Sequence, residues 1–387
     1  MLFAGIIYAW SILKAPFGKE FGWTASQLAL NFSLTMCFFC IGGIVSGLLT
    51  KRTSAKVTLF IGAILVCSGF VLVSRMSNNI IMLYITYGGL CGLGIGMAYN
   101  AIISTVGAWF PDKKGTCSGL LMMGFGASAL ILGSLASSMI QSESIGWRNT
   151  YMILGIAMGA VLLVTGLVLR APTMGAKLPL PKQIAKTKTE EMIVSKDYTT
   201  LEMVKRFTFW RFFLFTTTMA AIGSTVISFA KDLSVSVGAS AALATTLVGV
   251  LSVCNGLGRI MCGVIFDNFG RRKTMLFANA LTILAPMVLL TAIHYKTMPL
   301  FVIGLCLTGL SYGCSPTISS AFISTFYGTK NFALNFSVAN SMLIPASFIA
   351  TLSAGLLTST GSYVVPFIML ICLSLVGLGL NLSIKQP

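Results

Sequence analysis

Arg259, in the stretch Asn255-Gly-Leu-Gly-Arg259, is the one charged residue in the interior of any long apolar segment. A guanidinium is a planar fork of donors that matches a carboxylate, and it keeps its proton at any ordinary pH. Its chemistry is therefore the holding of an anion. A cation inside a membrane segment is a functional-site candidate because burying it costs free energy. The structural alternative is an arginine that snorkels to the nearer membrane face. Asn255, one helical turn earlier, shares its helix face and could hold either the arginine or a ligand. Other candidates carry less. Cys37 and Cys40 form a CxxC, but inside an apolar helix with no histidine nearby, so packing is the expected role rather than metal binding. His294, the only histidine, falls at the end of an apolar stretch, where an interfacial residue is expected. No Asp or Glu lies inside a stretch to relay a proton; the nearest, Glu20 and Asp232, sit at the ends. With no cluster of histidines and carboxylates, catalysis is not indicated, and no cofactor is called for.

The elements that position Arg259 follow from composition. Hydrophobic residues make up 56% of the 387 and charged residues only 9%. Mean hydropathy is +0.90. Twelve apolar stretches begin at Leu2, Gln27, Val57, Ile80, Thr116, Trp147, Phe209, Ala241, Thr274, Met298, Phe332 and Tyr363. Most reach the roughly 18 residues that a helix needs to cross about 30 Å of hydrocarbon. They lack the alternation of barrel strands, so the expected fold is an all-α membrane protein. The first stretch, Leu2 to Phe17, is short for a span, and residues are expected to be missing in front of Met1.

The formal charge of +17 reports topology rather than a nucleic-acid partner. If the even-numbered connections are cytoplasmic, they and the C-terminus hold 19 of the 26 Lys and Arg, and the outer loops and helix ends hold six. This asymmetry places both termini in the cytoplasm of a multi-pass cell-membrane protein. The ten cysteines lie in or at the ends of apolar stretches, so no disulfide framework is indicated.

A shift of 216 residues lays Gly22 on Gly238, Gly47 on Gly263, Phe110 on Phe326 and Lys114 on Lys330. The expected organisation is a six-helix half over residues 1–170, a linker over 171–206, and a second six-helix half over 207–387. The linker should end in a short amphipathic helix between Asp197 and Arg206. Gly88, Gly92 and Gly96 recur on one helix face, followed by Gly119, Gly124, Gly126 and Gly133. Such stripes suit either a sliding interface or static close packing. Pro16, Pro316 and Pro345 could each break a helix or be tolerated as a kink.

After the eighth stretch the sequence reads Gly263-Val-Ile-Phe-Asp267-Asn-Phe-Gly270-Arg271-Arg272-Lys273. Gly263 permits close helix contact, Asp267 can pair with Arg271 or a helix N-terminus, and Gly270 makes a tight turn. The motif resembles the G-x-L-x-D-R-x-G-R-R signature of the major facilitator superfamily, without its Leu and first Arg. The first-half copy, Gly47-Leu-Leu-Thr-Lys51-Arg52-Thr-Ser54, has Lys51 at the acidic position and Ser54 at the turn glycine. The second copy is therefore expected to carry more of the gating.

Further stretches are similar to the oxalate/formate antiporter and monocarboxylate transporter branch: Gly5-Ile-Ile-Tyr8-Ala-Trp10, Tyr99 with Trp109-Phe-Pro-Asp112-Lys-Lys-Gly115, Asn255 to Arg259, and Gly309-Leu-Ser-Tyr312. The resemblance implies a bacterial inner-membrane transporter, working as a monomer by alternating access, with Tyr8, Tyr99 and Tyr312 lining a central cavity around Arg259. Asn100, beside Tyr99, ranks lower. The oxalate exchanger's second cation has Ala339 at its aligned position here, flanked by Asn340, a further binding candidate. One cation neutralises one carboxylate, so a monocarboxylate such as lactate, formate, acetate or pyruvate is expected. The aspartate that the animal transporters couple to protons is replaced by Asn255, which leaves open a co-transported proton or an exchanged anion. An oxalate/formate-type exchanger, or an exporter of neutral or cationic solutes with a structural Arg259, remains the alternative reading.

Overall fold

The computed structural model describes residues 1–111, 113–172 and 197–384. Most of the expected linker, residues 173–196, lies outside the described residues, as do Asp112 and Lys385. The described residues are helical, without a strand.

The first span, α1, is broken. A 3₁₀ segment, Phe3–Ala9, leads into Trp10–Leu13, and a new helix, Ala15–Phe21, starts with Pro16 in its first turn. Proline is tolerated there because the first turn has no partner for its N–H. The following helices are α2 (Ala25–Arg52), α3 (Ala55–Ser74), α4 (Ile80–Gly107), α5 (Lys114–Gln141), α6 (Gly146–Val168) and α7 (Phe207–Ser236). Then come α8 (residues 241–269), α9 (residues 271–294), α10 (Met298–Phe326), α11 (Phe332–Asn340 and Leu343–Thr360) and α12 (Val364–Ser383). Among the described residues, ten helices are long and apolar enough to cross a membrane, counting α8 and α9 as one run. Gly270, at φ 75°, turns that run back on itself, and adding α1 gives the twelve expected spans.

Local sequence fixes the helix starts. Thr24 and Gln27 form a capping box on α2, with Gln27 N donating to Thr24 Oγ1 at 3.3 Å and Thr24 N donating to Gln27 Oε1 at 2.9 Å. Ser54 caps α3 by accepting from Val57 N at 3.3 Å. The residue at the position of the motif's turn glycine therefore starts a helix here. Within α4, a π-helical stretch, Tyr84–Cys91, precedes the regular turns.

The glycine stripes serve two purposes. Gly88, Gly92 and Gly96 of α4 face Asn31, Thr35 and Phe39 of α2, a close contact among the first six helices. Gly115, Gly119 and Gly126 of α5 instead face α8, across the seam between the first six helices and the last six. Near the end of the 171–206 linker, Thr200–Val204 forms a one-turn helix opened by a Thr199–Glu202 capping box. The chain there docks on the α10–α11 connection. Asp197 accepts from Thr329 N and Lys330 N at 3.0 and 3.1 Å, and Tyr198 N donates to Tyr327 O at 3.0 Å.

Candidate functional site

The candidate site lies at the seam between the first six helices and the last six. Arg259 is 1% exposed on α8. Its Nε donates to Asn255 Oδ1 at 3.2 Å and its Nη1 donates to the Met122 carbonyl of α5. No carboxylate forms a salt bridge with it among the described residues. An arginine at the centre of a membrane helix costs about 2.5–3.5 kcal/mol on insertion scales. Two neutral acceptors satisfy part of its fork and leave its charge uncompensated. Gly126 of α5 makes room for it, since a Cβ there would meet Arg259 Cζ at 3.4 Å. Asn255 thus orients the arginine and is not among the residues lining the cavity.

That cavity is narrow in this conformation, with room for little more than one water molecule. Arg259, Tyr8, Tyr99, Tyr312 and Asn340 all line it, so five of the six binding candidates read from the sequence come together. The hydroxyls of Tyr8 and Tyr312 lie 3.4 Å apart, joining α1 to α10 over one wall. Tyr99 packs against Phe39 and Phe125 with ring centroids 5.2 and 5.0 Å away, and all three line the cavity. Such a chamber offers one positive group, hydroxyl donors and rings, which is the chemistry of a small anion with an apolar end.

On α11 the cavity is lined by Asn340, while Ala339 is buried in the core. The helix breaks at Ser341 and Met342. Pro345 accounts for the break, because it has no N–H to offer the carbonyl of Ser341 and its ring clashes there. The break turns Met342 and Leu343 into the cavity wall as well. Sequence reasoning missed these two, along with Phe39, Phe125 and Ser315, because apolar residues and serines inside apolar helices carry no signal of their own. The proline was the available clue.

The Gly263–Lys273 motif sits at the basic end of the bundle, which carries the α2–α3, α4–α5, α8–α9 and α10–α11 connections. Asp267 accepts from Gly115 N at 3.0 Å, Thr116 N at 2.8 Å and Thr116 Oγ1 at 2.7 Å. Its carboxylate therefore caps the N-terminus of α5, where both the orphan amides and the helix dipole favour negative charge. Gly263 packs on the backbone of Gly115 and Thr116, a contact that a side chain would block. Arg271 donates to the Ile384 carbonyl at 3.4 Å and lies over the Phe326 ring, and Arg272 is exposed.

On the other seam, Gly47 of α2 packs on Ala333 and Leu334 at the start of α11, and Lys51 Nζ donates to Asn331 Oδ1 at 3.3 Å. Arg52 is exposed beside it. Two more bonds cross the interface toward this end, Ser118 to Ser320 at 2.7 Å and Ser337 Oγ to the Gly43 carbonyl at 2.7 Å. The basic end is closed.

The remaining candidates take structural places. Glu20 pairs with Arg148 at 2.9 Å, and Asp232 is exposed at the far end. His294 is exposed and packs edge-on to Tyr295. Cys40 Sγ lies 3.6 Å from the Asn340 carbonyl, and no metal-ligating cluster occurs among the described residues.

Comparison with known proteins agrees with this architecture. The family model described as Major Facilitator Superfamily matches residues 1–234 and 212–385. YhjX of Escherichia coli (strain K12), an uncharacterized MFS-type transporter, is 28% identical over 86% of this chain and 80% of its own length. The oxalate:formate antiporter of Oxalobacter formigenes is 26% identical over 86% of this chain and 77% of its own. Monocarboxylate transporter 12 of Mus musculus is 25% identical over 93% of this chain and 77% of its own. Among solved structures, the proton:xylose symporter XylE superposes with a TM-score of 0.75 at 12% identity, covering 100% of this chain and 94% of that one. The E. coli fucose:proton symporter FucP gives 0.67 at 15% identity, covering 100% and 98%. These last two speak for the fold alone.

Proposed function

Because the chain belongs to the Major Facilitator Superfamily and is thus a multi-pass membrane transporter rather than an enzyme, we propose that it carries a small organic monoanion on Arg259. The observation that supports this most is the buried guanidinium, lining a cavity with its charge unmatched by any carboxylate salt bridge among the described residues. The carboxylate of the substrate supplies the missing charge. Tyr8, Tyr99 and Tyr312 offer hydroxyls to it and rings to its apolar end. On α11 the cavity position is the neutral Asn340, so a second carboxylate would find no cation there. This favours a monocarboxylate of the formate, acetate, lactate or pyruvate kind over a dianion such as oxalate.

Transport proceeds by alternating access, with the half over 1–170 rocking against the half over 207–387 about the cavity and the 171–206 linker joining them. The basic end faces the cytoplasm by the positive-inside rule. Asp267 on the α5 N-terminus and Lys51 on Asn331 hold that end shut in the conformation described. Among the described residues no carboxylate lines the cavity beside Arg259 to titrate, which suits exchange of anions or entry of the proton with the substrate.

A counterflow panel in proteoliposomes tests the reading, with labelled formate, acetate, lactate, pyruvate and oxalate, each with and without a pH gradient. One or more monocarboxylates should exchange while oxalate does not. Exchange of oxalate alone would contradict the one-cation argument.

A further inference from the structure

Asp197 to Glu202, at the end of the 171–206 linker, lie along the α10–α11 connection as a strap. Tyr198 N donates to the Tyr327 carbonyl at 3.0 Å, and the Asp197 carboxylate accepts from Thr329 N and Lys330 N at 3.0 and 3.1 Å. The Tyr198 carbonyl accepts from two asparagines one helical turn apart, Asn331 Nδ2 and Asn335 Nδ2, both at 3.1 Å. Thr200 Oγ1 donates to Asn335 Oδ1 at 2.7 Å, so the buried amide of Asn335 is matched on both sides. The rings of Tyr198 and Tyr327 meet edge-on with centroids 5.4 Å apart. Gly328, at φ 81°, turns the connection beneath the strap, and a Cβ there would collide with Asp197.

The connection under the strap is the one that closes the α2–α11 seam. Just past it, Ala333 and Leu334 pack on Gly47 of α2, and Ser337 Oγ donates to the Gly43 carbonyl at 2.7 Å. Asn331 belongs to both sets of contacts. Its Nδ2 faces the strap, and its Oδ1 accepts from Lys51 Nζ at 3.3 Å. Turning that amide over would point its NH2 at an ammonium, so the bond to Tyr198 presents the oxygen that Lys51 needs. Lys51 stands where the motif has an acidic residue, so this seam lacks the carboxylate cap that Asp267 gives α5. An ordered neutral acceptor takes its place. Without the strap the connection would have to be ordered each time the end closes, and that entropy opposes closure.

We propose that the strap is a positioning element for the transport cycle: by fixing Asn331 and the first turns of α11 in advance, Asp197, Tyr198 and Asn335 set how firmly the basic end shuts. None of the three lines the cavity, and they act on the seam through Asn331 and the α11 backbone. The strap travels with the second half, because α7 begins directly after Arg206. Removing its bonds shifts the protein toward the state open at the basic end. This holds whatever the cavity carries.

Cys40 of α2 reports on this seam, since it is 2% exposed with its Sγ 3.6 Å from the Asn340 carbonyl of α11. Cys314 is the control, being 0% exposed and packed on the Gly258 carbonyl inside the second half. The full chain, keeping one or the other as its single cysteine, is labelled with a membrane-impermeant maleimide in inside-out vesicles, where the reagent meets the basic end. In Asp197→Ala and in Asn335→Ala the Cys40 rate should rise about three- to tenfold, the scale of one net hydrogen bond. Asp197→Asn keeps an acceptor oxygen and should fall between. The Cys314 rate should stay as it is with the strap unaltered. Unchanged Cys40 labelling in both alanine variants would overturn the proposal. A Cys314 rate that climbs as far as that of Cys40 would overturn it too, by showing that the strap only holds the second half together. Asp197 is exposed, so its replacement leaves the core intact and keeps the test decisive even where Asn335→Ala fails to fold.

Discussion

Arg259 is held by its neighbours as much as by its own helix. Asn255 fixes Nε, the Met122 carbonyl fixes Nη1, and the missing side chain of Gly126 gives the guanidinium its room. Gly126→Val would place methyl groups where Arg259 Cζ now packs, so substrate affinity should fall at least about tenfold, read as the concentration for half-maximal counterflow. Asn255→Ala removes a neutral acceptor from a charged donor, a contact worth about 1.5–3 kcal/mol. Uptake should weaken roughly 10- to 100-fold while the purified protein keeps its elution profile. The arginine and Asn255 stood out in the sequence as a lone charge in an apolar run and its neighbour on the same helix face, whereas the three tyrosines were picked out only through the family resemblance. Gly126 was not, because its role is defined by a side chain on another helix. Asn340 was read one residue away from Ala339, and only the backbone break after it decides which of the two reaches the cavity.

At the scale of the elements, two features shape the seam, the Gly263–Lys273 motif and the break in α11, and the sequence disclosed them unequally. Gly270 and Asp267 were readable from their motif, and the structure realises both of their expected roles, a turn at φ 75° and a carboxylate on a helix N-terminus. The replacement of the acidic residue by Lys51 in the first copy was readable too, and its contact with Asn331 is a single bond between neutral and charged groups. Asp267→Asn should therefore loosen the basic end more than Lys51→Ala. The cap is worth about 0.5–2 kcal/mol. In a variant that retains Cys117 as its single cysteine, the thiol lies one residue beyond Thr116, and its labelling rate should rise several-fold on Asp267→Asn. An unchanged rate would show that the cap does not hold this seam. The break in α11 was foreshadowed only by Pro345, whose consequence falls four residues upstream. Pro345→Ala should restore a continuous helix, withdraw Asn340 from the cavity and lower transport without unfolding the protein. The glycine stripe of α4 gave the least guidance. Spacing alone does not say whether a small-residue face meets α2 within the first six helices or a helix across the seam.

For the whole molecule, twelve spans, a pseudo-repeat and a basic excess at one end were all carried by composition and periodicity, since a chain in lipid must satisfy its backbone within helices. What the pattern left out is the state of the assembly. The closed basic end depends on pairings such as Ser118 with Ser320 and Ser337 with Gly43, between residues far apart in sequence and unremarkable in type. The central claim is that one buried cation carries the substrate's charge through the membrane. Its most direct test is uptake of a labelled monocarboxylate into proteoliposomes by the unaltered chain and by Arg259→Gln, with folding verified by monodisperse elution and matched thermal melting. Uptake should be lost in the variant, with binding weakened by at least about a hundredfold, while the fold persists. Retained uptake by a folded Arg259→Gln protein would contradict the claim.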